Sequence, residues 1–244
     1  LGAYGFLRLV LPLYPLESQT FAWALASLAT LAIILGAWGA FGQTDFKRLV
    51  AYSSINHMGF VVLAIAAAGL AVKTSDAHIA LGGAVLQMFN HGCITGMLFL
   101  LVGMIYERTH TRMIEDMGGL ANKIPLWAGI LAFTSFASLG LPGLSGFWGE
   151  FLVLFGTFNK GTTFAKVMVY ISILGIVLGA AYLLWMLQRV IFGSSSNKIH
   201  DLNRLSWLEV ITLAPLIAII IFVGVYPAWI LNIINNSVNY ILSM

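Results

Sequence analysis

Between positions 21 and 42 the chain carries no charged side chain, and apolar runs of similar length recur along it. At 1.5 Å of rise per residue, about 20 apolar residues cross the ~30 Å hydrocarbon core of a bilayer. Only helices and closed barrels satisfy their backbone hydrogen bonds there. Runs at 21–42, 47–72, 77–106, 164–192 and 207–226 read as full spans, and 125–158 reads as one more, interrupted inside. The opening stretch, 1–13, is too short to span and reads as the end of a longer helix closed by Pro12 and Pro15. Hydrophobic residues make up 60% of the 244 positions and charged ones 9%, and the mean hydropathy is +0.94. Such a composition excludes a soluble domain and leaves room for roughly six to seven spans, a polytopic all-α bundle.

The charges fall in the connections. One set of alternate loops collects Lys47, Arg48, Arg108, Arg112, Lys123, Arg189, Lys198 and Arg204, and the other Lys73, Lys160 and Lys166. By the positive-inside rule the first set faces the cytoplasm or its equivalent, so the interrupted helix runs outward. The formal net charge of +3 therefore concerns orientation and not nucleic acid. Trp207, Tyr226 and Trp229 suit the interfacial ends of the last span. The tail from Ala228 either extends that helix or lies at the interface. Cys93 stands alone inside an apolar run, which removes disulfides and thiolate metal sites. No signal peptide is visible, and the opening on Leu1, without Met, reads as a chain whose beginning is missing.

The interruption lies in the stretch from Ser138 to Glu150. Pro142 removes an N–H donor, and Gly140, Gly143 and Gly146 tolerate bent backbone, so a membrane helix should break here. Freed backbone groups survive at that depth only inside protein or beside a water-filled cavity. Glu150, the only acid between Asp116 and Asp201, sits just past the break, and an ionisable side chain within a span points to function. The alternative is a surface loop whose glutamate reaches water. His57 comes ten residues into its helix with Ser53 one turn earlier, and His91 is near the middle of its own span with Gln87 and Thr95 one turn to either side. Gly83, Gly92 and Gly96 would allow neighbours close to that stripe. Imidazole titrates near neutrality and can take and release protons, and amides and hydroxyls beside it can hold the connecting waters. If the histidines relay protons, His91 should stand between His57 and Glu150 across water-bridged gaps. Otherwise each is a packing residue bonded to a neighbouring helix. Metal binding is disfavoured, because no candidate ligands share close helical spacing. His78, His110 and His200 read as solvated, and Arg8 and Arg189 as snorkelling residues near span ends.

Several strings together carry a resemblance. Gln43-Thr44-Asp45-Phe46-Lys47-Arg48-Leu49-Val50-Ala51-Tyr52-Ser53-Ser54 leads into His57-Met58-Gly59, followed by Gln87-Met88-Phe89-Asn90-His91-Gly92. Then come Tyr106-Glu107-Arg108-Thr109-His110-Thr111, Met117-Gly118-Gly119-Leu120, Leu141-Pro142-Gly143 and Gly149-Glu150-Phe151. In this order the chain resembles the antiporter-like membrane subunits of respiratory NADH:quinone oxidoreductase, complex I, and within them the M-type. The resemblance covers essentially the whole chain.

It implies an antiporter-like fold of two inverted five-helix repeats, each with one broken helix. This chain would hold the end of a preceding helix (1–15), the second repeat (16–193, broken helix about 125–158), and a linker, last span and tail (194–244). By that likeness His57, His91 and Glu150 belong to a hydrated proton pathway along the membrane plane, with Ser53, Gln87 and Thr95 supporting it. Glu150 matches the terminal proton carrier, where sister subunits more often have Lys. NADH, FMN, iron–sulfur clusters and quinone would be bound by other subunits and none by this chain. Expected partners are other membrane-arm subunits, neighbouring antiporter-like subunits included, lipid, and a separate chain supplying the family's first half. The place would be a bacterial cytoplasmic membrane, or a mitochondrial inner or thylakoid membrane. The rival readings are a subunit of a Mrp-type cation/proton antiporter or membrane-bound hydrogenase, and a structural spacer without transport.

Overall fold

The computed structural model describes residues 1–70, 75–159, 162–192 and 202–243. Lys73, Lys160, Lys198 and His200, and the linker from 193 to 201, lie outside the described residues. Helix α1 (Gly2–Leu13) ends at Tyr14, whose non-helical backbone turns the chain before Pro15 opens α2 (Pro15–Phe41). Proline suits a first helical turn because the N–H it lacks has no partner there. Next come α3 (Phe46–Leu70), α4 (Ser75–Thr109), α5 (Pro125–Ser138), α6 (Ser145–Asn159), α7 (Thr163–Phe192), α8 (Trp207–Val225) and α9 (Ala228–Ser243). Among the described residues α2, α3, α4, α7 and α8 are each long and apolar enough to cross a membrane. Half-helices α5 and α6 flank the break expected within the apolar run 125–158.

Helix α3 is the most deeply buried of the long helices and forms the axis of the bundle. It packs most closely on α2, where small residues let the backbones approach. A Cβ on Gly36 would stand 2.7 Å from the Asn56 backbone nitrogen, and one on Gly59 2.6 Å from Ile33. Asn56, buried at this crossing, donates to Ile33 O at 2.9 Å and to Gly175 O at 3.3 Å. One amide thereby ties α3 to α2 and α7 where no water can compete. Gly83 gives α4 the same closeness to α6, at 2.7 Å from Val153 N, whereas a Cβ on Gly92 or Gly96 would meet nothing within 4 Å. Those two glycines, expected as packing positions, face open space.

The bundle has two apolar cores. One gathers Phe46, Leu49, Leu98, Leu101, Trp127 and Met186 at the cation-rich end. The other gathers Phe60, Leu63, Leu81, Val153, Val223 and Ile234 toward the opposite end. Between them lies a belt of buried polar side chains, among them Ser53, Asn56, His57, Gln87, Asn90, Ser138, Ser145 and Glu150. Outside, Leu31, Leu35 and Trp38 on α2 and Leu174, Val177 and Leu184 on α7 stand exposed, a surface suited to lipid or to other apolar helices.

At the cation-rich end the polar loop after α4 is pinned to the α2–α3 turn. Phe46 N donates to Arg112 O and Ile114 N to Thr44 O, a short antiparallel pairing. Ser206 and Glu209 cap α8 reciprocally, satisfying first-turn N–H groups. The tail is a separate helix: after Pro227, α9 turns back against α4 and places Tyr240 under Arg8. Two loop-end expectations are corrected. Arg189 lies flat on the Trp185 indole, 3.3 Å from its centroid, with Nε and Nη2 buried and unpartnered. His78 has a buried, unpartnered Nε2 and so is not simply solvated.

Candidate functional site

The broken helix places the acid. Helix α5 ends at Ser138, and Gly140 and Gly143 take φ of +74° and +96°. L-residues with side chains avoid these values, so both positions need glycine. Gly140 N donates to Ala137 O and Leu141 N to Phe136 O, the paired bonds of a Schellman cap that occupy the last carbonyls of α5. Pro142 then prevents immediate resumption, and α6 starts at Ser145. Gly146 was expected within the break, but it belongs to α6. Its role is close approach, since a Cβ there would clash with Ala137 O. Gly149 similarly clears the space into which Gln87 reaches, since a Cβ there would clash with Gln87 Oε1.

Glu150 is 5% exposed and His57 6%. Their Oε1 and Nδ1 are 2.6 Å apart. Gln87 Nε2 donates to the same oxygen at 3.1 Å. The other ring nitrogen, His57 Nε2, meets Ser138 Oγ at 3.1 Å, so the imidazole is held at both ends. His91 stands beyond it, ring centroids 6.1 Å apart, with Nε2 at 3.1 Å from Ser54 Oγ. A cavity of about 10 Å³ lies among His57, Gln87, His91, Ile94, Thr95, Ser138 and Gly146, room for about one water.

The order along this line is Glu150, His57, His91. It corrects the expectation that His91 would stand between the other two with long gaps throughout. The physical reason is the break: residues 139–144 end α5 and restart the chain as α6, which brings Glu150 directly against His57 of α3. Only the His57–His91 gap is too long for a direct hydrogen bond. Gln87 and Thr95 share the cavity with His91, as their spacing on α4 suggested. Ser53 does not line it; its hydroxyl donates to Val50 O at 2.7 Å.

Chemically, the Glu150–His57 contact holds a proton that either partner can carry without changing the pair's net charge. Release through Nε2 leads toward Ser138 and the cavity. Some nearby polar atoms are buried without partners: Gln87 Oε1, Asn90 Oδ1, Ser135 Oγ and Ser145 Oγ. The Tyr182 hydroxyl lies against Ser53. Asn90 also donates to Ser145 O at 2.6 Å, fixing the start of α6. Ser54, Ser138, Asn90 and Tyr182 escaped the sequence reading. Ser54 and Ser138 adjoin singled-out residues and were within reach of it, whereas Tyr182 belongs to a helix with no other polar mark nearby. Among the described residues, no three His, Cys, Asp or Glu side chains converge as a metal site.

Comparison with known proteins agrees with this architecture. Residues 1–179 match the family described as NADH:quinone oxidoreductase/Mrp antiporter, TM. The NADH-quinone oxidoreductase subunit M of Rickettsia prowazekii is 43% identical over 99% of this chain and 47% of its own length. In the respiratory complex I structure from Thermus thermophilus with bound NADH, one chain is 31% identical, with a TM-score of 0.85, over 99% of this chain and 49% of that one. A chain of the Mrp complex from Dietzia sp. DQ12-45-1b shares the fold at a TM-score of 0.78 and 17% identity, covering 92% of this chain and 48% of that one. The chain spans about half the length of the relatives it matches. With its broken helix, its length of match and its identity to the subunit M proteins, the chain belongs to the NADH:quinone oxidoreductase/Mrp antiporter membrane family.

Proposed function

We propose that this chain carries protons within the membrane arm of a proton-translocating NADH:quinone oxidoreductase of the M-subunit type. The observation that carries the reading is the buried Glu150–His57 contact, continued toward His91 across a water-sized cavity. A carboxylate and two imidazoles at membrane depth are costly to bury and are retained where protons must move. In this reading His57, joined at both ring nitrogens, is the transfer group. Glu150 is the carrier, His91 the next acceptor, and Gln87 and Thr95 hold the intervening water. Redox chemistry would occur in other subunits, which would bind NADH, FMN, iron–sulfur clusters and quinone, and would drive this site through conformation and charge. Partners would be the neighbouring membrane-arm subunits, lipid, and a polypeptide equivalent to the half of the relatives that this chain does not span. The segment 16–193 would act as one antiporter-like repeat, in a bacterial cytoplasmic membrane.

The test is Glu150→Gln in the assembled complex, with proton uptake into membrane vesicles followed during NADH oxidation. Gln keeps size and hydrogen bonding but cannot carry the proton. Assembly with pumping sharply reduced supports the reading. Normal pumping would remove Glu150 from the pathway and favour a spacer.

A further inference from the structure

Several buried hydroxyls in these helices give their proton to the carbonyl one turn back: Thr30 to Ala26 O, Thr134 to Ile130 O, Thr157 to Val153 O and Ser172 to Met168 O, at 2.7–2.9 Å. A helical serine or threonine is satisfied in this way without any partner from another helix. Ser138 departs from the pattern. It ends α5, is buried, and has Thr134 one turn behind it, yet its Oγ meets His57 Nε2 at 3.1 Å. Ser138 also lines the water-sized cavity that continues to His91. Each imidazole nitrogen takes one hydrogen bond in the ring plane, as donor or as acceptor. At His57 both are engaged, Nδ1 with Glu150 at 2.6 Å and Nε2 with Ser138. Water in the cavity therefore has no free nitrogen of His57 to meet.

Resting on the proton-carrying reading above, we propose that the Ser138 hydroxyl is itself a link in the proton path, the bridge between His57 and the cavity. A hydroxyl has one O–H to donate and lone pairs to accept with, so it takes one proton while giving up another. In the loaded pair, His57 Nε2–H donates to Ser138 Oγ, and the serine O–H is turned to water in the cavity. On release the Nε2–H bond breaks and a new O–H bond forms at Oγ. The original Ser138 proton passes to the water and on to His91. One proton has moved, and Ser138 is again a neutral hydroxyl, now donating to Nε2. Ser54 meets His91 Nε2 at the same distance, 3.1 Å, but does not line the cavity, so the bridging role falls to Ser138.

Ser138→Ala removes the bridge. Proton uptake should fall about tenfold, because water entering the vacated space replaces the hydroxyl only in part. Ser138→Thr, which keeps a hydroxyl on the same carbon, should recover most of that loss. Both are measured beside Glu150→Gln as the assembled complex in membrane vesicles, following initial proton uptake during NADH oxidation. If Glu150→Gln stops uptake, Ser138→Ala slows it and Ser138→Thr recovers it, the assignment stands. If Glu150→Gln stops uptake but Ser138→Ala runs at the unsubstituted rate, only this proposal fails. It fails too if Ser138→Thr is as slow as Ser138→Ala, since side-chain volume and not the hydroxyl is then what matters. If Glu150→Gln pumps normally, the proton-carrying reading itself fails and this one with it. Should Ser138→Ala not assemble, Ser138→Cys decides in its place, because a thiol is close to the hydroxyl in size and a weak hydrogen-bonding group: slowed uptake supports the bridge and the full rate overturns it.

Discussion

Two carboxylates in this chain meet a basic side chain at almost the same distance, and the two contacts are built in opposite ways. Glu209 takes Arg108 through both oxygens, each at 2.7 Å. The remaining guanidinium donors reach Met104 O, Asn203 O and Arg204 O, so each of its five N–H groups has an acceptor. Glu209 also receives Ser206 N at 2.6 Å. Arginine does not give up its proton, and nothing in this cluster is left over. It is a latch holding the start of α8 to the end of α4. Glu150 instead meets His57 through one oxygen, and its partner can release a proton. Around it Gln87 Oε1, Asn90 Oδ1 and the Ser145 hydroxyl remain unfilled. Saturated bonding fixes one arrangement. Spare donors and acceptors beside a titratable pair leave a second arrangement within reach.

The difference can be broken at each end. Glu150→Gln should lower proton uptake per assembled complex by about 100-fold, within the usual range for losing an acid–base group. Uptake in vesicles with complex content normalised by immunoblot checks it. Arg108→Ala should do the reverse, lowering the thermal stability of the detergent-purified complex by about 1–3 kcal/mol through the unpaired Glu209. Pumping by the complexes that survive should stay near normal; a pumping defect as deep as that of Glu150→Gln would show that the latch is also part of the pathway. His91→Ala comes next, slowing pumping by about tenfold or less, because water in the enlarged cavity can partly replace a relay imidazole. A loss equal to that of Glu150→Gln would make His91 indispensable and overturn the assigned order. Smallest is Gln87→Met, which removes one neutral hydrogen bond to Glu150 and should cost about threefold, within the range for one bond. No change at all would mean that Gln87 only fills space beside Gly149.

The spans were legible because each is a continuous apolar run whose length the bilayer dictates. The break at Leu139–Leu144 was legible for a local reason: Pro142 and two glycines at positive φ cannot continue a helix. Gly146 was misassigned to it because composition does not distinguish a glycine needed for its own backbone from one needed by a neighbour. Gly92 and Gly96 failed for the same reason, since nothing on α4 says which of its faces a partner covers. The candidate residues Glu150, His57 and His91 stood out because charge and imidazole are rare in such runs.

What the sequence by itself determined was an all-helical membrane bundle with one broken helix and the identity of the polar groups at its middle depth, because both follow from local chemistry and rise per residue. Which of those groups touch was decided only by the tertiary structure. His57 and Glu150 are 93 positions apart, and their contact depends on how far α6 is displaced by the break. It depends too on the small residues that set the distances of α3 from α2 and of α4 from α6. Distances of 2.6 Å and 6.1 Å distinguish a direct proton contact from a water-bridged one. They are the outcome of packing summed over the whole bundle, and no spacing along a single helix encodes them.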